Sequence, residues 1–183
     1  MTTDDLAEFV FIDEAASNAA MAPRYGRAPS SERAIGKRPG RGERHALTMV
    51  GALSSTGVSA LMTIEGGMTG AAFLQFVKEL LVPTLRPGQV VVMDNLAAHK
   101  VKGVREAIKA AGAWVMYLPP YSPDLNPIEL CWNKLKESLR RSGARTVRAL
   151  NQAIANAMKL ITPDDSTAWA VHCGYGSSQA QLE

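Results

Sequence analysis

Three acidic residues of the sequence are placed where they could bind a divalent metal ion. Asp13 ends the apolar run E-F-V-F-I-D, Asp94 ends the apolar run V-V-V-M-D, and Glu129 follows N-P-I in the first turn of a predicted helix. Side chains at the carboxyl ends of neighbouring strands converge on one rim of an open α/β sheet. Carboxylates gathered there repel one another unless a cation lies between them, and an oxygen-only site suits Mg²⁺. The sequence therefore predicts a metal site formed by these three acids.

Each acid also has a purely structural interpretation. Asp13 could be a polar strand-end residue or a helix N-cap, and Asp94 followed by asparagine is ordinary turn chemistry. Asn126 and Glu129 have the spacing of the N-cap and N3 residues of a capping box, in which Asn126 would support the start of the helix. Asp124 is a rival third acid, but its place in S-P-D-L-N-P fits a turn. Glu14 would point away from Asp13 if the first strand continues.

The elements that must position these acids follow from apolar periodicity, turn residues and helix caps. Strands are predicted at residues 8–13, 45–54, 58–64, 90–94 and 114–118, the second and third forming a hairpin. Helices are predicted at residues 69–81, 101–111, 126–141, 146–160 and 163–172. This order predicts a mixed α/β sheet with helices on both faces. We expect residues 1–183 to form one domain with its core at about 8–173 and a loose tail at 174–183.

Two predictions concern side chains on these helices. The apolar face of the first helix is predicted to consist of Phe73, Phe76, Val77, Leu80 and Leu81. Trp132, in the same predicted helix as Glu129, is expected to lie in the core rather than to stack on a base.

Basic residues are concentrated in two stretches, although the formal net charge is only +3. The first is a predicted irregular arm at 21–45 with seven basic residues and two glutamates, the basic ones being Arg24, Arg27, Arg33, Lys37, Arg38, Arg41 and Arg44. The second, at 134–148, has six basic residues and one glutamate, the basic ones being Lys134, Lys136, Arg140, Arg141, Arg145 and Arg148. Clustered cations favour a polyanionic partner because they release counterions on meeting phosphates. Two solvated surfaces are the alternative.

Composition excludes several classes of protein. With 183 residues, 46% of them hydrophobic and 20% charged, the chain can bury a substantial core and is not a disordered segment. No apolar run is long enough to span a bilayer, and the acidic N-terminus does not match a secretory signal. Cys131 and Cys173 share no C-x-x-C pattern, so we expect reduced thiols in a cytoplasmic protein.

Two longer segments resemble the signatures of the mariner-like transposase superfamily, above all its bacterial insertion-sequence branch. They are V-V-M-D-N-L-A-A-H-K at 91–100 and L-P-P-Y-S-P-D-L-N-P-I-E at 118–129, and the 34 residues between Asp94 and Glu129 are the family's spacing. F-I-D-E at 11–14, R-Y-G-R-A-P at 24–29 and V-P-T-L-R-P-G at 82–88 also resemble family segments. The resemblance covers roughly residues 9–175.

This resemblance implies an RNase H-like fold and a site of the DDE type. Asp13, Asp94 and Glu129 would hold two Mg²⁺ or Mn²⁺ ions. Asn95 and His99 fall on the family's D-N-x-x-x-H positions and would support the site or contact DNA, whereas a surface histidine is the alternative for His99. The DNA-contacting residues would be those of the arm together with Lys100, Lys134, Lys136, Arg140 and Arg141.

The resemblance also implies a transposase catalytic domain that cleaves and transfers strands at mobile-element ends. Its partner would be double-stranded DNA, held by a homodimer, with TA target sites and a bacterial, nucleoid-associated location. Family members usually carry an N-terminal helix-turn-helix region, and no such pattern is found in this sequence. Two alternatives remain: an RNase H-like nuclease without strand transfer, and an inactive DNA-binding remnant.

Overall fold

The computed structural model describes residues 6–35 and 46–175, and its centre is a mixed five-stranded sheet. The strands are β1 (Phe9–Asn18), β2 (Ala46–Ser54), β3 (Gly57–Glu65), β4 (Val90–Met93) and β5 (Trp114–Tyr117). Their order across the sheet is β3-β2-β1-β4-β5, with β1–β2–β3 antiparallel and β4 and β5 parallel to β1. The predicted mixed sheet and the β2–β3 hairpin are therefore confirmed.

The first strand is longer than predicted, because β1 does not end at Asp13. Its pairing with β4 stops at Phe11↔Val92, but its antiparallel pairing with β2 continues from Asp13↔Gly51 to Asn18↔Ala46. The small residues of 15–18 keep the alternation of a strand, with Ala15 and Ser17 buried and their neighbours exposed. Asp13 thus lies within a strand, just beyond the last residue paired with β4.

Helices cover both faces of the sheet, as predicted. One face carries α1 (Gly70–Phe76), the turns that follow it, and α2 (Val104–Ala110). The other carries α3 (Ile128–Ser142), α4 (Val147–Met158) and α5 (Pro163–His172). Thr69 and Thr146 cap α1 and α4 through their side chains, which accept hydrogen bonds from backbone N–H groups of the first turn. Alternate residues of the central strands enter the two cores, so Phe11 packs against the α3 layer and Ile12 against the α1 layer.

The predicted helix at 69–81 changes pitch after Phe76. A π-helical turn (Val77–Leu81) and a 3₁₀ turn (Val82–Thr84) follow α1. Pro83 has no N–H to donate and its ring would collide with the carbonyl four residues earlier, so α-helical hydrogen bonding cannot continue through it. The predicted apolar face is therefore wrong at Leu80, which is exposed, and right at Phe73, Phe76, Val77 and Leu81, which are fully buried.

The C-terminal region begins in contact with the sheet. Tyr175 packs edge-on against Phe9 and Phe11, with ring centroids 5.3 and 4.7 Å apart. Residues 176–183, most of the predicted loose tail, lie outside the described residues. Cys131 and Cys173 are free, buried thiols. No helix within 6–35 or 46–175 has the length and apolar character that a membrane crossing requires.

Candidate metal centre

Asp13 and Asp94 meet at the carboxyl end of β4. Asp94 directly follows Met93, the last residue of β4, and Asp13 lies two residues beyond the last β1 residue that pairs with β4. Asp13 follows the alternation of Phe11 and Ala15, which places its side chain on the α3 side of the sheet. The two aspartates therefore lie at one rim of the sheet, at the positions that the sequence predicts.

Glu129 reaches the same place from the first turn of α3. The loop after β5 leads through a 3₁₀ turn (Pro123–Leu125) into the helix, which begins at Ile128. A cavity of about 450 Å³ lies between this loop and the sheet rim. Its lining includes all three predicted acids together with two predicted supporting residues: Asp13, Asp94, Asn95, Asn126 and Glu129.

Asp13 is the most deeply buried of the three acids. Its side chain accepts a hydrogen bond at Oδ2 from the indole N–H of Trp132, at 3.1 Å, and only 9% of the residue is exposed. Burial raises the pKa of Asp13 to about 7, and the negative charges of Glu129, Glu14 and Asp94 add to the increase. Removing water and adding like charges both disfavour the ionised form, so a bound cation would relieve both costs.

Asp94 differs from Asp13 because it is paired with a buried imidazole, that of His99. His99 Nδ1 lies 2.7 Å from Asp94 Oδ1, and His99 Nε2 lies 2.8 Å from Glu14 Oε1. Burial would lower the pKa of His99, but its hydrogen bonds to Asp94 and Glu14 outweigh that effect and raise the pKa to about 10. The pKa of Asp94 is lowered because its bonds to His99 and to the Leu96 N–H outweigh its partial burial.

The surroundings of His99 decide between its two predicted interpretations. It is fully buried and its ring lies against Phe73, with centroids 4.2 Å apart, so the surface-histidine alternative is wrong. As an imidazolium it can donate from both nitrogens, one to each carboxylate. His99 therefore supports Asp94 from behind and does not line the cavity.

Asn126 does not cap the helix, contrary to the sequence prediction. The N-cap of α3 is Pro127 and makes no side-chain cap bond, whereas the Asn126 amide Nδ2 donates to the Ile12 carbonyl at 3.4 Å. A capping side chain would accept from the Glu129 N–H, but that N–H already donates to the Asn126 backbone carbonyl at 3.0 Å. The Asn126 side chain turns toward the sheet instead. Asn126 Oδ1 is buried and has no hydrogen-bond partner among the described residues.

One residue on the cavity rim, Tyr121, has an unusual backbone conformation. Tyr121 has φ +57° and is fully exposed, and it lies among prolines at 119, 120 and 123 on the edge of the cavity. A bulky residue in the left-handed region costs about 1–2 kcal/mol, and such positions cluster at functional sites. The loop after β5 therefore presents an aromatic ring to solvent beside the acids.

The donor set fits a hard divalent cation, but the acids are not drawn together into a closed ligand set. Within the described residues, no group of three or more His, Cys, Asp or Glu side chains has a ready metal-binding arrangement. The cavity nevertheless offers carboxylate oxygens from three parts of the chain, and one of these carboxyl groups has a raised pKa. Oxygen donors of this kind suit Mg²⁺, which keeps several waters and substrate oxygens in its coordination sphere.

The predicted DNA-contacting residues fall into three groups. In the irregular segment after β1, Arg24, Arg27 and Arg33 are exposed, and Lys37, Arg38, Arg41 and Arg44 lie outside the described residues. On α3, three basic residues have acidic partners: Lys134 pairs with Asp165, and Arg140 and Arg141 pair with Glu137. Lys136 is half-buried, and Lys100 is exposed with its ammonium 5.5 Å from the Tyr117 ring centroid.

Sequence reasoning did not identify Trp132 as the partner of Asp13 or Glu14 as the partner of His99. Glu14 was expected on the opposite side of β1 and lies there, but its contact with His99 joins residues 85 positions apart. Trp132 is in the core as predicted, but its bond to Asp13 spans 119 positions. The available signal was the (i, i+3) spacing of Glu129 and Trp132, which places them on one helix face.

A mixed sheet of this order, with its acids at the carboxyl end of β4, is an RNase H-like fold. The family described as DDE superfamily endonuclease matches residues 8–151, which is more than half of the sequence. The chain therefore belongs to the DDE superfamily endonucleases. No curated protein sequence matches it.

Solved structures of the Mos1 mariner transposase share the fold. The paired-end complex with the left transposon end aligns with a TM-score of 0.65 and 16% identity over 92% of this chain and 56% of that one. The paired-end complex with Mg gives 0.64 and 18% over 92% and 54%, and the strand transfer complex gives 0.59 and 18% over 94% and 56%. The chain thus spans little more than half the length of these transposase chains.

Proposed function

We propose that this chain is the catalytic domain of a mariner-like transposase from a bacterial insertion sequence, which cleaves DNA strands and transfers them at the element's ends. The observation that carries the proposal is the cavity at the end of β4, where Asp13, Asp94 and Glu129 converge from three distant parts of the chain. Membership of the DDE superfamily endonucleases and the shared fold with Mos1 complexes that contain transposon ends support it.

The proposed cofactors are two Mg²⁺ or Mn²⁺ ions held by Asp13, Asp94 and Glu129. Mos1 complexes with Mg and with Mn support this choice. When bound, paired divalent ions activate the attacking oxygen and stabilise the leaving oxygen of an in-line displacement.

The protein's own part is to hold the acids and the DNA in place. Trp132 and His99 fix the two aspartates by hydrogen bonds, and Glu129 projects from the first turn of α3, where the helix macrodipole stabilises its charge. A first displacement, by water, leaves a 3′-hydroxyl, and a second, by that hydroxyl, joins the strand to target DNA. Neither step needs a nucleophilic side chain.

The basic residues are proposed to hold the DNA backbone and to position it, without reading its sequence. Arg24, Arg27 and Arg33 are exposed in the arm, and Lys100 is exposed with its ammonium near the Tyr117 ring. Arg141 lies twelve residues after Glu129 on α3, about 18 Å along the helix axis. Contacts there would follow DNA several base pairs from the cleaved bond. A homodimer holding two ends, TA target sites and a location on nucleoid DNA in the cytoplasm complete the proposal.

The proposal is tested with duplexes made from the DNA that flanks the coding sequence, nicked to expose a 3′-hydroxyl. With Mn²⁺ or Mg²⁺, the protein is expected to join that end to a supercoiled target plasmid. Glu129→Gln should abolish joining, whereas Glu79→Gln is the control, because Glu79 is an exposed glutamate in the other helical layer and its carboxylate bonds to Gln75.

The two alternatives give different products in the same assay. An RNase H-like nuclease would nick the plasmid in a metal-dependent way and give no joined product. An inactive DNA-binding remnant would retard the duplex in a gel without cutting or joining it. Either result would overturn the proposed strand transfer.

A further inference from the structure

The indole of Trp132 contacts an acid of the proposed metal site through a polar atom. Its N–H donates to Asp13 Oδ2 at 3.1 Å, and only 1% of Trp132 is exposed. Trp132 lies three residues after Glu129 on α3, and residues at this spacing share a helix face. One face of the helix therefore carries both an acid of the cavity and the donor that holds a second acid.

The strand on the other side of Asp13 is adapted to this ring. Gly51 is the residue of β2 directly opposite Asp13, and a Cβ at Gly51 would lie 2.8 Å from Cη2 of Trp132. Real Cβ contacts are longer than this, so any side chain at position 51 would displace the indole. Gly51 does not have positive φ, so space rather than backbone conformation explains the glycine.

The hydrogen bond leaves the two oxygens of Asp13 in different situations. Oδ2 is occupied by the indole, which leaves Oδ1 without that donor. The indole N–H is a donor only and does not titrate, so it can donate to Asp13 at any pH. Without it, the buried carboxylate of Asp13 would be free to rotate away from Asp94 and Glu129, the other acids that line the cavity.

We infer that Trp132 is a positioning residue, which orients Asp13 for a divalent cation, and that Gly51 provides the space it needs. The inference rests on the proposed function, in which Asp13 binds the cation. Groups that orient metal ligands in this way typically contribute 10–100-fold to metal affinity.

The test uses Trp132→Phe, which removes the donor and retains most of the ring. Trp169→Phe is the matched control, because Trp169 on α5 packs against the same core cluster and is not among the residues that line the cavity. Mn²⁺ binding is measured by isothermal titration calorimetry on the metal-free protein, alongside urea unfolding. Trp132→Phe is expected to weaken Mn²⁺ binding at least about tenfold and Trp169→Phe to leave it within twofold.

A second pair of variants retains the indole and moves it. Gly51→Ala would push the ring away from Asp13 and is expected to weaken Mn²⁺ binding in the same way. Gly67→Ala is its control, since a Cβ there meets nothing within 4 Å. This pair decides the matter if Trp132→Phe does not fold.

Three outcomes separate this inference from the proposed function. Weaker Mn²⁺ binding in Trp132→Phe or Gly51→Ala, with both controls unchanged, supports the positioning role. Unchanged binding in these variants, when Asp13→Asn abolishes it, would overturn the role of Trp132 and leave the metal site in place. Absence of Mn²⁺ binding in the unaltered protein would overturn both.

Discussion

The two aspartates of the cavity are held by different kinds of donor, on opposite faces of the sheet. Asp13 is buried and takes one hydrogen bond from a neutral indole on the α3 side. Asp94 has a side chain 38% exposed and faces a buried histidine, which Glu14 fixes on the α1 side. The pKa of Asp13 is raised to about 7, whereas the pKa of Asp94 is lowered.

In the proposed metal site, this difference would give the two acids different protonation states before a cation binds. Asp94 is ionised at neutral pH because a cation already faces it. Asp13 is half-protonated near pH 7 because burial and the neighbouring acids disfavour its charge. A divalent ion would therefore displace a proton from Asp13 below about pH 7, whereas Asp94 has none to lose.

The sharpest test of this comparison replaces each aspartate with asparagine. Both variants are expected to lose cleavage by a factor on the order of 10³ or more, because each removes a proposed metal ligand. Their stabilities should move in opposite directions in EDTA at pH 8. Asp13→Asn removes a disfavoured charge, keeps an acceptor for Trp132 and raises the free energy of unfolding. Asp94→Asn takes a carboxylate from His99 and lowers it by about 1–2 kcal/mol.

Urea unfolding of the two variants and the unaltered protein measures this directly. Asn95→Ser, a polar change at a cavity residue that is not a proposed ligand, serves as the control and should shift unfolding by much less. If both aspartate variants were destabilised equally, Asp13 would not be a strained acid and the comparison would fail.

The pH dependence of stability gives a second test, of intermediate size. Asp13 has a folded pKa of about 7 against a usual value of 3.8, so between these values the folded state holds a proton that the unfolded state has lost. Stability conferred by Asp13 should therefore fall as pH rises through this window, by up to about 1.4 kcal/mol per pH unit. The raised pKa of His99 acts in the same direction only above about pH 6.5. Between about pH 4.5 and 6.5, the difference between the profiles of the unaltered protein and Asp13→Asn therefore reports the proton bound by Asp13.

The measurement is urea unfolding at half-unit steps of pH in this window, in EDTA and in saturating Mg²⁺. Asp13→Asn should show a flatter profile than the unaltered protein in EDTA. Mg²⁺ should stabilise the unaltered protein more as pH rises. Parallel profiles for the two proteins would mean that Asp13 is ionised throughout the window.

The sequence predicted the sheet, its helical layers and the convergence of three acids, because apolar periodicity and strand ends are local signals. It did not predict where β1 ends, since the strand continues past Asp13 through pairing with residues of β2 that lie 28 to 36 positions away. It misjudged Asn126, because the capping pattern is local whereas the bond to Ile12 joins residues 114 positions apart. The bond of Trp132 to Asp13 and the bond of Glu14 to His99 likewise depend on tertiary packing.

The smallest expected effect comes from Glu14, the residue that connects the two sides of the comparison. Glu14→Gln keeps an acceptor for His99 but removes the charge, so the hold on Asp94 weakens and cleavage should fall about tenfold. The charge of Glu14 is also one cause of the raised pKa of Asp13, so the midpoint of the Asp13 profile should move to lower pH.

The control for both measurements is Glu79→Gln. Glu79 lies in the turn that follows α1, and its carboxylate is bonded to Gln75. Opposite effects of one substitution, weaker support for Asp94 and easier ionisation of Asp13, would show that the two aspartates are coupled through Glu14. A fall in cleavage with no movement of the Asp13 profile would mean that the two faces of the sheet hold their acids independently.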